Sequence, residues 1–192
     1  MNKPEYIIVH HSATKDGAVR DWDAIRRFHT SFRYQGEIVS PQEASALRSQ
    51  GCVVESPWND IGYQAGIERI NGVLTSLVGR PIADAGAHCK EANMNSRSIG
   101  VCVVGNFDLV PPDLETVFFL RDLCFAYMVN YRIAAQNILG HRDAGLMAGF
   151  DWRKGEFKTC PGKLFPLSEL RNMVAGKVDT TWQPTTVGGG GR

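Results

Sequence analysis

Tyr6-Ile-Ile-Val-His-His-Ser-Ala-Thr14 is the stretch that decides the fold. Its run of β-branched residues is typical of a buried strand. Side chains alternate along a strand, which predicts two faces: Tyr6, Ile8 and His10 on one, and Ile7, Val9 and His11 on the other. Only one of the two adjacent histidines can therefore face a given site, and the alternation favours a structural role for His11.

Residues 36–57 carry a compact helix signature. Ser40 can cap the helix, Pro41 suits its first turn, and Glu43 completes a capping box. Gly51 can end the helix. We therefore predict an inserted helix near the cleft.

The other periodic segments predict a central mixed sheet flanked by helices. Helical spacing occurs in 20–32, 112–131 and 164–174, and in the first of these Trp22, Ile25, Phe28 and Phe32 share a face. Strands are predicted at 61–70, 73–78 and 98–105, with Tyr63 near the start of the first and Asn71-Gly72 as a hairpin turn. A short apolar run, 137–140, leads into a loop from His141 to Pro161. These patterns indicate a mixed α/β or α+β domain.

Length and composition fit a single soluble domain, which we expect to span residues 1–178 with a flexible glycine-rich tail at 179–192. The net charge is +1 and no basic run stands out, so neither a nucleic-acid surface nor a stable membrane association is expected. The N-terminus lacks the pattern of a signal peptide, and no apolar stretch is long enough to span a bilayer. We expect the chain to be made and folded in a cytoplasm.

The five cysteines do not form a disulfide pattern, because their number is odd and no Cys-x-x-Cys pair occurs. Cys102 and Cys124 lie in apolar patterns and are predicted to be small buried hydrophobes. Cys160 lies beside Pro161 in a polar loop, which is a setting suited to metal binding.

Three widely separated side chains are candidate zinc ligands: His10, His141 and Cys160. Two imidazoles and one thiolate bind zinc firmly and leave a fourth position open, as in catalytic sites. Zinc would supply both an activated water and a Lewis acid, with Cys160 as a ligand and not as an acyl-forming nucleophile. A metal-assisted hydrolase is the leading interpretation; a cysteine hydrolase would need a separate base.

Three flanking motifs make this interpretation specific: the opening stretch, Trp58-Asn-Asp-Ile-Gly-Tyr63, and Lys158-Thr-Cys-Pro161. Together they resemble the zinc-dependent N-acetylmuramoyl-L-alanine amidases of the phage T7 lysozyme and peptidoglycan recognition protein type. The resemblance spans about Tyr6 to Leu170, and it implies the fold of that family.

The resemblance also implies a role for each matching residue. His10, His141 of Gly140-His-Arg-Asp143, and Cys160 would bind zinc. The catalytic tyrosine and lysine of the family fall on Tyr63 and Lys158. Tyr63 would orient or deprotonate the water, and Lys158 would stabilise the oxyanion.

Two further matches, His88 of Gly86-Ala-His-Cys89 and Asn106, would line the substrate groove. Segments 36–57 and 144–157 depart from the family's pattern and are expected to border the cleft.

Structural alternatives stand beside several of these roles. Tyr63 could be a half-buried strand residue and Lys158 a solvated loop charge, while His88 and Asn106 could satisfy backbone groups. Asp143 could orient a ligand histidine or cap a turn. Trp58 and Trp152 could stack on a sugar or pack against loops. His29 could be a surface residue or a packing residue.

The sequence thus predicts a monomeric amidase that cleaves bacterial peptidoglycan between N-acetylmuramic acid and L-alanine. The missing export signal suits a phage or prophage endolysin, held in the host cytoplasm until its release to the cell wall. One alternative is an anhydromuropeptide amidase of wall recycling. Another is a non-catalytic module that binds peptidoglycan or regulates a partner.

Overall fold

The computed structural model describes residues 3–14 and 21–176. The strands in this part of the chain are β1 (Tyr6–His11), β2 (Phe32–Tyr34), β3 (Glu37–Val39), β4 (Ala65–Ile70), β5 (Val73–Val78), β6 (Ser98–Val103) and β7 (Ile138–Gly140). The helices are α1 (Asp21–His29), α2 (Pro41–Ser49), α3 (Met94–Arg97), α4 (Leu114–Tyr131), α5 (His141–Met147) and α6 (Leu167–Val174). Short 3₁₀ turns occur at Glu91–Asn93, Ala135–Asn137 and Trp152–Lys154.

The main sheet has five strands in the order β5-β4-β6-β1-β7. β1 pairs in parallel with β6 on one side and with β7 on the other. β4 is parallel to β6, whereas β5 closes the edge antiparallel to β4. This mixed sheet with flanking helices confirms the predicted fold class. β1, β6 and β7 also end at one edge, which brings their carboxyl ends together.

Both faces of β1 are buried, as its apolar run predicts. Ile7 and Val9 belong to the core that α4 and α6 complete through Leu120 and Leu170. Ile8, on the opposite face, packs in a separate cluster with Met94 and Ala144. Burial of each such aliphatic side chain contributes about 1.5–3 kcal/mol to folding. The alternation therefore holds along β1, and it fixes which way His10 and His11 point.

The 36–57 segment contains the predicted capped helix. The Glu43 amide donates to Ser40 Oγ at 3.2 Å, and the Ser40 amide donates back to Glu43 Oε2 at 2.8 Å. Gly51, at φ +83°, follows the helix in the left-handed region that glycine tolerates best.

Buried Arg33 ties this segment to the rest of the domain. Its guanidinium lies 2.9 Å from the Glu55 carboxylate and 5.1 Å and 4.8 Å from the ring centroids of Phe28 and Trp58. A cation between two aromatic rings is stabilised electrostatically by both.

Several predicted boundaries were wrong, and three of them bear on the site. α1 ends at His29, because the hydroxyls of Thr30 and Ser31 donate to the carbonyls of its last turn. Phe32 lies in β2 and not in the helix, since the turn at Gln35-Gly36 pairs β2 with β3. β4 starts at Ala65, so Tyr63 precedes the strand. The Tyr63 carbonyl accepts from the Arg80 amide, outside the regular ladder between β4 and β5.

The third correction concerns the predicted loop after β7. His141 begins α5, and the Asp143 carboxylate accepts from the Gly140 amide at 3.1 Å to close the first helical turn. A polar composition with glycines concealed this short helix.

The hairpin β4–β5 turns at Asn71 and Gly72, both with positive φ, as predicted. The predicted tail, residues 179–192, lies outside the described residues. Within the described part of the chain, no helix combines the length and the apolar character that a bilayer span requires.

We predict that Gly66→Ala destabilises the domain. A Cβ at Gly66 would lie 2.5 Å from ring carbons of Trp22, a buried residue on α1, so the ring would have to shift. Overpacking of this kind costs about 1–3 kcal/mol, measurable by urea unfolding. Exposed Ser76 on β5 supplies the control, because Ser76→Ala should change the free energy of unfolding by less than about 0.5 kcal/mol. Equal unfolding midpoints for the two variants would contradict the proposed contact.

Candidate functional site

The three predicted metal ligands meet at the edge of the sheet where its parallel strands end. His10 lies near the end of β1, and His141 follows β7 directly. Cys160 comes from the loop after the Trp152–Lys154 turn, and its carbonyl accepts from the Arg142 amide at 2.8 Å. All three side chains are buried.

Asp108 anchors the Cys160 loop on both sides. Its carboxylate accepts from Thr159 Oγ1 at 2.7 Å and from the Lys163 amide at 2.8 Å. The loop therefore holds Cys160 in a fixed position relative to α5.

The donor atoms converge closely enough to share one ion. His10 Nδ1 lies 3.2 Å from His141 Nδ1 and 3.5 Å from Cys160 Sγ. Tetrahedral zinc with its usual bond lengths would separate two nitrogens by about 3.3 Å and a nitrogen from a sulfur by about 3.6 Å. The donor set therefore fits zinc in both chemistry and spacing.

Protonation also suits a metal. Burial lowers the pKa of His141 to about 4, with Lys158 adding to the effect. Burial, then the charges of His141, His88 and Lys158, hold the pKa of His10 well below its usual value. Both imidazoles are thus neutral at neutral pH, which is the form that binds metal. Burial raises the pKa of Cys160 to about 12, so its thiolate needs a cation beside it.

Each of the two candidate ligand histidines has a second partner on its other ring nitrogen. His141 Nε2 lies 3.0 Å from Glu91 Oε2, and His10 Nε2 lies 3.0 Å from His88 Nδ1. Burial alone would raise the pKa of Glu91, but the hydrogen bond from His141 lowers it below its usual value. The carboxylate is therefore ionised and can only accept. Glu91 was not predicted from the sequence, where its only signal is its place three residues after His88.

In the described part of the chain, no hydrogen bond joins the Asp143 carboxylate to either candidate ligand histidine. Besides closing the first turn of α5, its carboxylate pairs with Arg171 at 2.8 Å. Of the two roles considered for Asp143, the cap is the one found.

His88 is enclosed by two glycines, whereas Asn106 bonds nearby backbone groups. A Cβ at Gly86 or at Gly100 would come within 2.4 Å or 2.5 Å of the His88 ring, so both glycines are needed to admit it. Among the described residues, none offers a hydrogen-bond partner to the buried His88 Nε2. Asn106 donates to the Ala13 carbonyl at 3.2 Å and accepts from the Asp108 amide. Substrate contact by either residue stays a prediction.

Tyr63 and Lys158 line the same cleft as the three donors, a space of about 450 Å³ that also includes Trp58 and Thr159. The Tyr63 and His10 ring centroids lie 5.1 Å apart. Burial, together with Cys102 and Cys160, raises the pKa of Tyr63 well above its usual value, so its phenol is a donor. Exposed Lys158 lies with Nζ 5.3 Å from the Phe157 ring centroid. The catalytic roles of Tyr63 and Lys158 stay predictions.

A second groove, of about 460 Å³, adjoins this cleft along α1. The two share His29 and Tyr63 as lining residues. Ile25 and Phe28 give the groove an apolar wall, and Ile38 brings the 36–57 segment to its border. Cleft and groove therefore form one continuous depression through these two residues.

Two other histidines have the structural roles expected of them. His11 Nδ1 accepts from the Phe107 amide at 3.2 Å, and the His11 ring stacks on Phe107. His29 Nδ1 accepts from the Gly62 amide at 3.1 Å, and its ring centroid lies 4.5 Å from that of Trp58.

All five cysteines are free thiols, and Cys102 and Cys124 are fully buried, as predicted. Trp152 packs under the guanidinium of Arg142, 4.7 Å from its ring centroid.

The sequence model of a family described as N-acetylmuramoyl-L-alanine amidase matches residues 1–163. Among solved structures, the N-acetylmuramoyl-L-alanine amidase LysC from Clostridium intestinale URNW is similar at 21% identity, TM-score 0.56, covering 90% of this chain and 86% of that chain. The endolysine N-acetylmuramoyl-L-alanine amidase LysCS of the same organism gives 22% identity, TM-score 0.55 and coverage of 90% and 84%.

Peptidoglycan recognition protein-LE, in complex with tracheal cytotoxin, is similar at 19% identity, TM-score 0.53, covering 85% of this chain and 76% of that chain. No curated protein matches the sequence. At these identities the solved structures show a shared fold.

We predict an acid-sensitive packing at His29. Burial lowers its pKa from 6.5 to about 4, with Arg33 and Arg80 contributing. Folding therefore favours the neutral ring, so its stabilising effect is complete above pH 6.5 and is lost as the pH falls towards 4. His29→Asn keeps an acceptor for the Gly62 amide but does not titrate. With a metal chelator in the buffer, the melting temperature of His29→Asn should fall less between pH 7 and pH 5 than that of the wild type. Parallel pH profiles for the two proteins would contradict this role.

Proposed function

The chain belongs to the N-acetylmuramoyl-L-alanine amidase family, and we propose that it is a zinc hydrolase acting on bacterial peptidoglycan. The bond cleaved is the amide between the lactyl carbonyl of N-acetylmuramic acid and L-alanine of the stem peptide. One observation carries the proposal: the buried donors of His10, His141 and Cys160 converge within 4.8 Å in a cleft that Tyr63 and Lys158 also line.

The three donors would hold the metal. His10 and His141 offer Nδ1 lone pairs from neutral rings, and Cys160 offers its sulfur. Bound zinc supplies Lewis-acid chemistry: it polarises a carbonyl oxygen and lowers the pKa of water. The fixed sheet edge means that little reorganisation of the chain would accompany binding.

Lys158 is proposed to stabilise the negative charge that develops on the carbonyl oxygen of the scissile amide. Its positive charge lies close enough to lower the pKa of both ligand histidines, so it acts on the space around them. A preorganised cation beside a developing oxyanion is among the strongest contributions to catalysis.

Tyr63 is proposed to orient the reacting groups through its phenol hydrogen. The ring lies against His10 at the junction of the cleft and the groove, where a substrate amide would enter. A positioned donor of this kind typically contributes about 10²–10⁴-fold to the rate.

The combined size of the two depressions supports a polymeric or extended substrate. The cleft and the adjoining groove are each about 450–460 Å³ and share His29 and Tyr63. We propose that the scissile amide lies beside the metal ligands and that His88 and Asn106 contact the flanking sugar or peptide. The chain is proposed to act as a monomer, without nucleic acid or stable membrane association.

We further propose an endolysin role, in which the protein stays in the host cytoplasm until it is released to the wall. The similarity to an endolysine amidase supports this role. Secretion through the main export route of the native host, without cell lysis, would contradict it.

The activity is tested on purified sacculi, with released products identified by mass and bound metal quantified. Wild-type protein should carry zinc and free stem peptides while leaving the glycan strands intact. Cys160→Ala should lose both zinc and cleavage, because it removes one of three donors. Lys158→Met should keep its zinc but lower kcat by about 10²–10³-fold. Exposed Lys163 is the matched control, and Lys163→Met should retain both properties.

Other outcomes would select the alternative functions. Cleavage of soluble anhydromuropeptides but not of sacculi would indicate wall recycling. Binding of zinc and of sacculi without cleavage would indicate a recognition module. The similarity to peptidoglycan recognition protein-LE is the observation that favours this alternative. A wild-type protein without metal would overturn the proposed chemistry.

A further inference from the structure

The Glu91 carboxylate has little exposed surface and lies in direct contact with a proposed metal ligand. Its Oε2 lies 3.0 Å from His141 Nε2, and the side chains of Glu91 and His141 are only 8% and 6% exposed. The Cys89 thiol lies 3.5 Å from the same oxygen. A carboxylate in so enclosed a place needs hydrogen-bond donors, and these two side chains supply them.

We propose that Glu91 is a positioning residue that fixes His141 as its Nε2–H tautomer and so aims the Nδ1 lone pair at the metal. The inference rests on the proposed zinc centre. A neutral imidazole carries one N–H, and an ionised carboxylate can only accept, so the proton must lie on Nε2. His141 Nδ1 is then left as the lone pair that faces His10 Nδ1 at 3.2 Å. A partner on the far nitrogen sets both the orientation and the basicity of a metal-binding histidine.

The backbone around Glu91 is built to hold this contact. Ala92 and Asn93, the next residues, have φ values of 48° and 58°, in the left-handed region that non-glycine residues rarely adopt. On the other side, Asn95 Oδ1 accepts from the amides of His88 and Cys89, each at 2.8 Å. Such strained turns persist where the surrounding structure holds them, and they cluster at functional sites.

A direct metal-binding role for Glu91 fits less well. Ligand atoms of Cys89, Glu91 and His141 also lie within 4.8 Å of one another. However, one neutral imidazole has a single lone pair, so His141 cannot serve this group and the His10–Cys160 group together. His141 therefore binds the metal through Nδ1, and Glu91 accepts a hydrogen bond from Nε2 on the opposite side of the ring.

The test compares zinc affinity, by competition with a chromogenic chelator, in wild-type protein, Glu91→Gln and Glu37→Gln. Glu37 is an exposed carboxylate on β3 and serves as the control. Loss of the charged acceptor should weaken zinc binding by about 10–100-fold in Glu91→Gln and leave Glu37→Gln unchanged. Long-range ¹H–¹⁵N spectra of zinc-free wild-type protein should show His141 as the Nε2–H tautomer, a readout that does not depend on a folded variant.

The outcomes separate this inference from the proposed function. If wild type and Glu91→Gln bind zinc with equal affinity, or if His141 is the Nδ1–H tautomer, the role of Glu91 is overturned and the proposed function is not. Two zinc ions per wild-type chain would overturn it in favour of direct ligation. A wild-type protein that binds no zinc would overturn the metal centre and this inference together.

Discussion

Parallel pairing of β1 between β6 and β7 is the constraint on which the site depends. Parallel strands end at the same edge, so the register Ile7↔Ile138 and Tyr6↔Ser98 places His10 beside the start of α5. His141 is the first residue after β7, and it therefore meets His10 without any long side chain reaching across the sheet. A slip of one residue in β1 would turn His10 into the core of α4 and α6 and exchange its place with that of His11.

The same edge concentrates buried imidazoles, and their neutrality is a condition of the fold. His10, His88 and His141 lie against one another with ring centroids about 5 Å apart for each pair with His10. Three cations at such distances in a buried site would repel strongly. Burial accordingly lowers the pKa of His88 to about 3 and of His141 to about 4. The hydrogen bonds then order these neutral rings: Glu91 accepts from His141, and His88 faces His10.

The fold was predictable because its elements depend on local patterns, whereas the three candidate donors, far apart in the sequence, were predicted from their chemistry together with the family's motifs. Alternation in β1, the Ser40-to-Glu43 capping box and the Asn71-Gly72 turn act within a few residues, and all three are found in the structure. Glu91 was not predictable in this way, since its partner lies 50 residues along the chain and no spacing links them. The helix α5 was also not predicted, because its composition is typical of loops and its formation depends on tertiary context.

The architecture separates the proposed chemistry from the surface that would select substrate. The donors are fixed by the sheet and by Asp108, whereas the groove wall at Ile38 belongs to the 36–57 segment, held to the domain by Arg33 through Glu55, Phe28 and Trp58. A change in that segment can reshape the groove, because the segment contributes nothing to the pairing of β1 with β6 and β7. His29 and Tyr63 are the points where the two parts meet, since both line the cleft and the groove. Tyr63 lies outside the regular ladder, where its carbonyl accepts from the Arg80 amide, and its ring packs against His10, so it joins the groove to the candidate metal ligands.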